Sequence, residues 1–331
     1  MRKLNVLHPS TTESTGGPAA SPTRAAVDGG GGCGGPRAAW PQQKPRWLKV
    51  KAPGGGEYRR LKSLMRELGL NSVCEEARCP NIGECWESGT ATFLIMGDKC
   101  TRNCPYCAIA HGRPEDLDED EPRRVAEMIE QLALRHVVIT SVDRDDLPDG
   151  GARIFGWLID DIHERLPECS IEVLTPDFRG MEHAIERVIR ARPDIFNHNM
   201  ETVERLHPEA RPGAKYERSL GVLRHAKSLD ETVLIKTGIM LGLGEEADDV
   251  RAFMDDALEA GVQILTLGQY LRPSERHREI DRYVTPEEFA EWKEYGEMLG
   301  FLHVESGPLV RSSYHAREQV EELRERATAL A

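Results

Sequence analysis

Past residue 90 the chain alternates between short runs of β-branched and aliphatic residues and longer segments with apolar residues at helical spacing. The strand candidates are 92–97 (TFLIMG), 136–142 (HVVITSV), 171–175 (IEVLT), 194–199 (DIFNHN), 232–241 (TVLIKTGIML) and 262–271 (VQILTLGQYL), with a short last one at 302–306 (LHVES). Helical patterns at 122–134, 155–166, 181–191, 216–229, 245–261 and 285–299 separate them. Parallel strands need crossovers of about a dozen residues or more, and helices of this length supply them. The alternation predicts an α/β fold, an incomplete (β/α)6 barrel of the TIM type, with an open doubly wound sheet as the alternative. In a barrel the chemistry sits on loops that leave the C-terminal ends of strands. The loop leaving the first strand is CTRNCPYC, 100–107. No internal repeat is visible.

Six of the eight cysteines fall between positions 74 and 107. They form two triads, Cys74-x4-Cys79-x5-Cys85 and Cys100-x3-Cys104-x2-Cys107. A disulfide framework suits a much shorter secreted chain, so tight clustering here points to metal binding in a reducing compartment. Iron–sulfur cubes are usually held by four thiolates. Three thiolates leave one iron open, as catalytic metal sites leave one position for a reactant. The alternative at the second triad is zinc with His111 as the fourth ligand; zinc sites, however, usually pair cysteines as C-x2-C. Cys33, in GGGGCGG, reads as an incidental thiol, and Cys169, before a strand, as a buried structural one.

Composition (39% hydrophobic, 30% charged) suits a soluble globular chain, and no apolar run is long enough to span a membrane. The start, MRKLNVLHPSTTEST, has no apolar core of a secretory signal, so a cytoplasmic protein is expected. Residues 1–45 are rich in Gly, Pro, Ser and Thr and read as a disordered tail that buries too little to order itself. That tail holds five Lys/Arg against two acids, so the body is more acidic than the −13 of the whole. An acidic body argues against nucleic acid as a partner, because that binding is mainly electrostatic. A local basic patch (Arg46, Lys49, Lys51, Arg59, Arg60 and Lys62) precedes the first cysteines, and is either a solvated surface or a docking site for an acidic partner. Before the first triad, YRRLKSLMRELGL places Leu61, Leu64, Met65 and Leu68 on one helical face that ends at Gly69.

MGDKCTRNCPYC resembles the signature of the radical S-adenosylmethionine (SAM) enzymes. The resemblance implies that Cys100, Cys104 and Cys107 hold a [4Fe-4S] cluster whose open iron is chelated by SAM. It also implies that Tyr106 lies near the adenine. A C-x4-C-x5-C triad ahead of that motif is similar to lipoyl synthases. PRWLKVKAP, NSVCEEARCPNIGECW, ITSVDRDDLPDGGA, FNHNMETV, KTGIMLGLGE, LTLGQYLRPS and GPLVRSSYHA resemble that family's segments in its order, over about residues 45 to 320. Lipoyl synthases insert two sulfur atoms at carbons 6 and 8 of an octanoyl chain amide-linked to a lysine of a carrier domain. These are saturated carbons with no acidic proton, which a general base cannot activate; a cofactor-derived radical can. By resemblance, Cys74, Cys79 and Cys85 hold a second, sacrificial [4Fe-4S] cluster. Its last ligand is the second serine of Arg311-Ser312-Ser313-Tyr314, Ser313. Thiolate suits such iron better than alkoxide, so a weak ligand fits an iron that must leave.

The division this implies is a tail (1–45), an auxiliary-cluster extension (46–90), a radical SAM barrel (91–305) and a serine-bearing segment with a closing helix (306–331). SAM carries a sulfonium, an ammonium and a carboxylate, and Ser141, Asp143, Asn199 and Glu201 fall at or just past strand ends that would face it. Lys236 is expected to meet the carboxylate. GLGE (242–245) is either an anion-binding turn or a plain glycine turn. The implied partners are octanoylated carriers (2-oxoacid dehydrogenase acyltransferase subunits, the glycine cleavage H protein), a low-potential donor such as ferredoxin or flavodoxin, and an iron–sulfur carrier. Neither membrane nor nucleic acid is expected, and a monomer is the default. The rivals are a methylthiotransferase acting on tRNA or a ribosomal protein, and a non-catalytic metal-binding protein.

Overall fold

The structure, a computed structural model, describes residues 44–50, 52–87, 90–314, 316 and 319. The low-complexity tail up to residue 43 with Cys33, and most of the closing helix, lie outside the described residues.

Helix α1 (Gly56–Glu67) buries Leu61 and Met65, with Leu64 and Leu68 packed partly against the same core. Gly69 turns the chain out of it at φ +63°, a conformation that suits glycine. Strand β1 (Asn71–Ser72) and the short helices α2 (Val73–Glu76) and α3 (Ile82–Glu87) complete the extension. Trp86, fully buried, stacks on Tyr58 with ring centroids 5.2 Å apart and ties α3 to α1.

Strands β2 (Thr92–Ile95), β3 (His136–Ser141), β4 (Ser170–Leu174), β5 (Ile195–Asn197), β6 (Leu234–Leu241), β7 (Ile264–Gln269) and β8 (His303–Gly307) pair in chain order, all parallel. Helices α4 (Glu121–Gln131), α5 (Ala152–Arg165), α6 (Glu182–Arg190), α7 (Tyr216–Leu229), α8 (Ala247–Glu259) and α9 (Pro286–Leu299) connect them. Strand β1 pairs antiparallel with β2 at one edge and β8 forms the other. The two edges do not pair among the described residues, so the expected incomplete (β/α)6 barrel, with its seventh strand, is the fold. Strands β2 to β7 are each buried along nearly their whole length, as a parallel sheet covered on both faces requires. The helices repay this with apolar stripes; α6, for example, buries Ala184, Ile185, Val188 and Ile189.

Thr285 Oγ1 accepts the Glu288 N–H at 3.2 Å and caps α9, while the Glu288 carboxylate grips Arg282 at 2.6 and 2.7 Å. In GLGE the turn's N–H groups are taken by its own acid: Glu245 accepts from Gly242 at 2.6 Å and Leu243 at 2.9 Å. No helix among the described residues is long and apolar enough to cross a membrane.

Candidate active site

Strand β2 ends at Ile95, and Met96 and Gly97 turn left-handed (φ +67° and +89°), with the Met96 N–H held by buried Glu121 at 2.6 Å. The chain then runs into the second cysteine triad, braced by a two-residue ladder of Lys99–Cys100 with Ala110–His111. Arg102, inside the triad, is nearly buried and forks onto Asp145 at 2.7 and 2.8 Å. It also reaches Asp177 at 2.6 Å and Asp143 at 3.3 Å. One side chain thereby ties the cysteine loop to the ends of β3 and β4. From the opposite side, His277 Nε2 donates to the Cys107 carbonyl at 2.9 Å, which leaves Nδ1 to accept from Ser274 at 2.8 Å.

Cys100, Cys104, Tyr106 and Cys107 line a cavity of about 180 Å³ together with Ser141, Asp143, Asn199 and Glu201. Of the residues expected at a SAM site, these four therefore meet the cysteines. Burial pushes the Cys107 thiol up to about 12 and the Cys100 thiol up to about 11, the latter aided by Asp143 nearby. Thiols so placed stay protonated near neutrality until a metal displaces the proton. The polar lining has spare capacity: Ser141 Oγ and Asn199 Oδ1 are buried without a hydrogen-bond partner, and Asp143 Oδ1 has only its ion pair with Arg102. Buried polar atoms are normally satisfied. A ligand rich in donors, such as the ammonium and hydroxyls of SAM, fits what these atoms lack.

Lys236 does not join them. Its ammonium is fully buried lower in the barrel, 3.0 Å from Glu172 and 3.0 Å from Gln319, and so is not free for a SAM carboxylate. Depth along the strand is the reason: β6 runs on to Leu241, and Lys236 lies five residues before that end. Two arginines line the cavity: Arg102, already tied to its three acids, and Arg211, which the sequence did not single out and which donates to the Asn199 carbonyl at 2.7 Å. Its only sequence signal is its place in ARPGAK, within the connection between β5 and α7.

The first triad forms a second site. Ser72 starts α2, its Oγ accepting the Cys74 N–H at 3.1 Å. Cys74, Cys79 and Cys85 surround a pocket whose remaining wall includes Ser313, from a segment more than 200 residues away in sequence. Three tethers fix that segment. Asn81 donates to the Leu309 carbonyl at 2.7 Å, Thr92 Oγ1 to Ser313 Oγ at 2.8 Å, and Asn199 to Ser312 Oγ at 2.6 Å. Burial pushes the Cys79 thiol up to about 11. All six cysteines are free thiols. No three His, Cys, Asp or Glu side chains among the described residues converge on a single ion. A zinc ion with thiolates at 2.3 Å would need sulfurs roughly 4 Å apart; a four-iron cube needs them spread around it. His111, the fourth ligand of the zinc alternative, is exposed. Cys169 is buried with its thiol against the Ser170 carbonyl.

A chamber of about 420 Å³ joins the two sites. It touches Cys74, Cys79 and Ser313 on one side and Tyr106 and Cys107 on the other. Its walls include Leu174, Ile239, Met240, Leu271 and Val310, and four cations, Lys44, Arg78, Arg272 and Arg311, against one acid, Glu201.

Residues 94–257 match the radical SAM superfamily, and residues 38–79 match the N-terminal domain of lipoyl synthase of that family. The lipoyl synthase of Rubrobacter xylanophilus is 59% identical over 281 residues, covering 85% of this chain and 88% of that protein. The lipoyl synthase of Koribacter versatilis is 52% identical, covering 84% and 92%. Among solved structures, Streptococcus suis SuiB is similar with a TM-score of 0.50 at 12% identity, covering 74% of this chain and 58% of that one, a likeness of fold alone.

Proposed function

The chain belongs to the lipoyl synthase family of the radical SAM superfamily, and from that membership we propose how its residues divide the work. The enzyme is a sulfurtransferase that inserts two sulfur atoms at carbons 6 and 8 of a protein-bound octanoyl-lysine, using SAM and two [4Fe-4S] clusters. When bound, the SAM-ligated cluster supplies the radical that takes hydrogen from the chain, and the auxiliary cluster supplies the sulfur.

Cys100, Cys104 and Cys107 hold the radical cluster. Ser141, Asp143, Asn199 and Glu201 satisfy the polar groups of SAM, Tyr106 packs near its adenine, and Arg211, in place of Lys236, meets its carboxylate. Cys74, Cys79, Cys85 and Ser313 hold the auxiliary cluster. The extension (46–90), the barrel (91–305) and the final segment (306–331) are the corresponding parts of the chain.

The observation that carries this reading is the single chamber touching both triads. Its aliphatic walls suit an octanoyl chain, and its volume lies in the usual range for small-ligand pockets. The cations at its lining suit a carrier domain with acids around the modified lysine; in an otherwise acidic chain they mark where such a domain can dock without repulsion. A low-potential ferredoxin or flavodoxin, an iron–sulfur carrier, a monomeric state and a cytoplasmic setting complete the proposal.

The test is a pair of substitutions. Anaerobically reconstituted enzyme should hold about eight irons per chain, two cubes' worth. Cys107→Ala should abolish SAM cleavage, whereas Cys85→Ala should still release 5′-deoxyadenosine but make no lipoyl product on an octanoylated carrier. The opposite phenotypes would exchange the two roles, and zinc in place of iron would remove the reading.

A further inference from the structure

Lys236, displaced from its expected role, belongs to a buried network of its own. Glu172, Asn197 and Lys236 each lie two residues before a residue that lines a cavity of the site: Leu174, Asn199 and Gly238. For Glu172 and Lys236, inside β4 and β6, the two-residue repeat puts them on the inner face, one layer beneath the chamber. Lys236 and Glu172 have no exposure, and their ion pair is 3.0 Å long. The second Glu172 oxygen accepts from Asn197 at 2.9 Å.

The remaining partner of the Lys236 ammonium comes from far along the chain. Gln319 Oε1 lies 3.0 Å from Nζ, and Gln319 is 1% exposed. Ala316, three residues earlier and on the same helical face, is also fully buried. The other end of the Gln319 amide turns back: Nε2 donates to the Tyr314 carbonyl at 3.0 Å. Tyr314 follows Ser313 in the same turn. A continuous chain of bonds therefore runs from the ion pair in the barrel, through one glutamine, to the backbone beside the serine in the auxiliary cage.

We propose that Gln319, held by the Glu172–Lys236 pair, is a positioning residue that latches the C-terminal segment into the barrel and sets where Ser313 stands against Cys74, Cys79 and Cys85. The proposal rests on the reading of Ser313 as the fourth ligand. A glutamine suits the task because it accepts from the ammonium and donates to the carbonyl at once. Leucine does neither, and glutamate at neutral pH only accepts.

The test isolates the auxiliary cluster by replacing Cys100, Cys104 and Cys107 with Ala in every protein compared. Each is reconstituted anaerobically, and loss of one iron on mild oxidation is followed by iron analysis and by the electron-paramagnetic signal of a three-iron cluster. Gln319→Leu should lose that iron about ten-fold faster than the parent, the low end for residues that orient a metal ligand. Gln319→Glu, which keeps the tie to Lys236 but not to Tyr314, should behave like it, and Ser313→Ala should lose the iron at least as fast. If Gln319→Leu accumulates poorly, Gln319→Met, flexible and of similar length, carries the same expectation. In the background with all six cysteines, SAM cleavage by the Gln319 variants should match wild type. Parent-like iron retention by Gln319→Leu and Gln319→Met, alongside loss in Ser313→Ala, would overturn the latch and leave the ligand standing. Retention in all of them would overturn the ligand reading and the latch with it.

Discussion

At Gly268 the absence of one methyl group matters. A Cβ there would sit 2.2 Å from the Val310 carbonyl oxygen, far inside contact distance, and both residues line the chamber. Val310 stands three residues before Ser313, so the backbone that would have to move is the one presenting the serine. Overpacking of this kind costs about 1–3 kcal/mol, which a protein of this size tolerates. Gly268→Ala should therefore fold, cleave SAM as wild type does, and form lipoyl product at least about ten-fold more slowly, since displaced ligands and catalytic groups lose that much or more. Single-turnover assays that count 5′-deoxyadenosine and lipoyl product together check the uncoupling. A parallel fall in both would place the damage at the radical site instead.

Among the elements, the loop after β2 depends on Arg102 more than on its own backbone. Three carboxylates converge on this guanidinium, and Arg218 shares Asp177 at 2.7 Å. Burial alone would raise the Asp177 pKa, but the hydrogen bond and charge of Arg102 outweigh it and hold it well below the usual carboxylate range. Removing the cation leaves buried acids uncompensated, which typically costs about 3–5 kcal/mol. Arg102→Ala should lower unfolding free energy by that order in urea titrations. Arg102→Lys keeps the charge but cannot fork onto two carboxylates. It should recover most of the stability while holding the radical cluster poorly, with iron falling toward the auxiliary half. Full iron and full SAM cleavage in Arg102→Lys would mean the loop needs only a charge there.

For the molecule as a whole, pH acts through two buried histidines. Burial, with Arg211 nearby, pushes His198 down to about 3 and His207 down to about 4. His198 is held neutral between the Thr175 carbonyl at 2.9 Å and Ser219 at 3.0 Å; the carbonyl can only accept, so Nδ1 carries the proton. A histidine whose folded pKa is depressed contributes stability that is complete above its unfolded value, near 6.5, and is lost as pH falls toward the folded value. Each such group removes up to about 1.4 kcal/mol per pH unit in that window. Buried Glu121, Glu201 and Glu245, whose pKa values burial raises, pull the other way. The clean measurement is thus a difference: between pH 6 and 4, unfolding free energy of His198→Gln should fall less steeply than wild type by about one proton's slope. Equal slopes would show that His198 titrates normally in the fold.

What the sequence determined by itself was whatever is periodic or adjacent along the chain. Strand–helix alternation is local, and it led to the open parallel barrel and nearly every element in it. The triads are local too, so their spacing and order were legible, whereas Ser313 was expected only because RSSY resembles the family's segment, and its place beside the first triad is a matter of the fold. The tertiary structure decided which polar side chains face one another. Lys236 at a strand seemed aimed at the cofactor, but the two-residue repeat of a strand fixes only the face and not the depth, and the ion pair with Glu172 lies a layer too low. Arg211, Arg102 and Gln319 carried no pattern, because each acquires its role from partners 12 to 83 residues away. Burying a charge or an amide is unfavourable unless such partners are present, and only the folded chain brings them within reach.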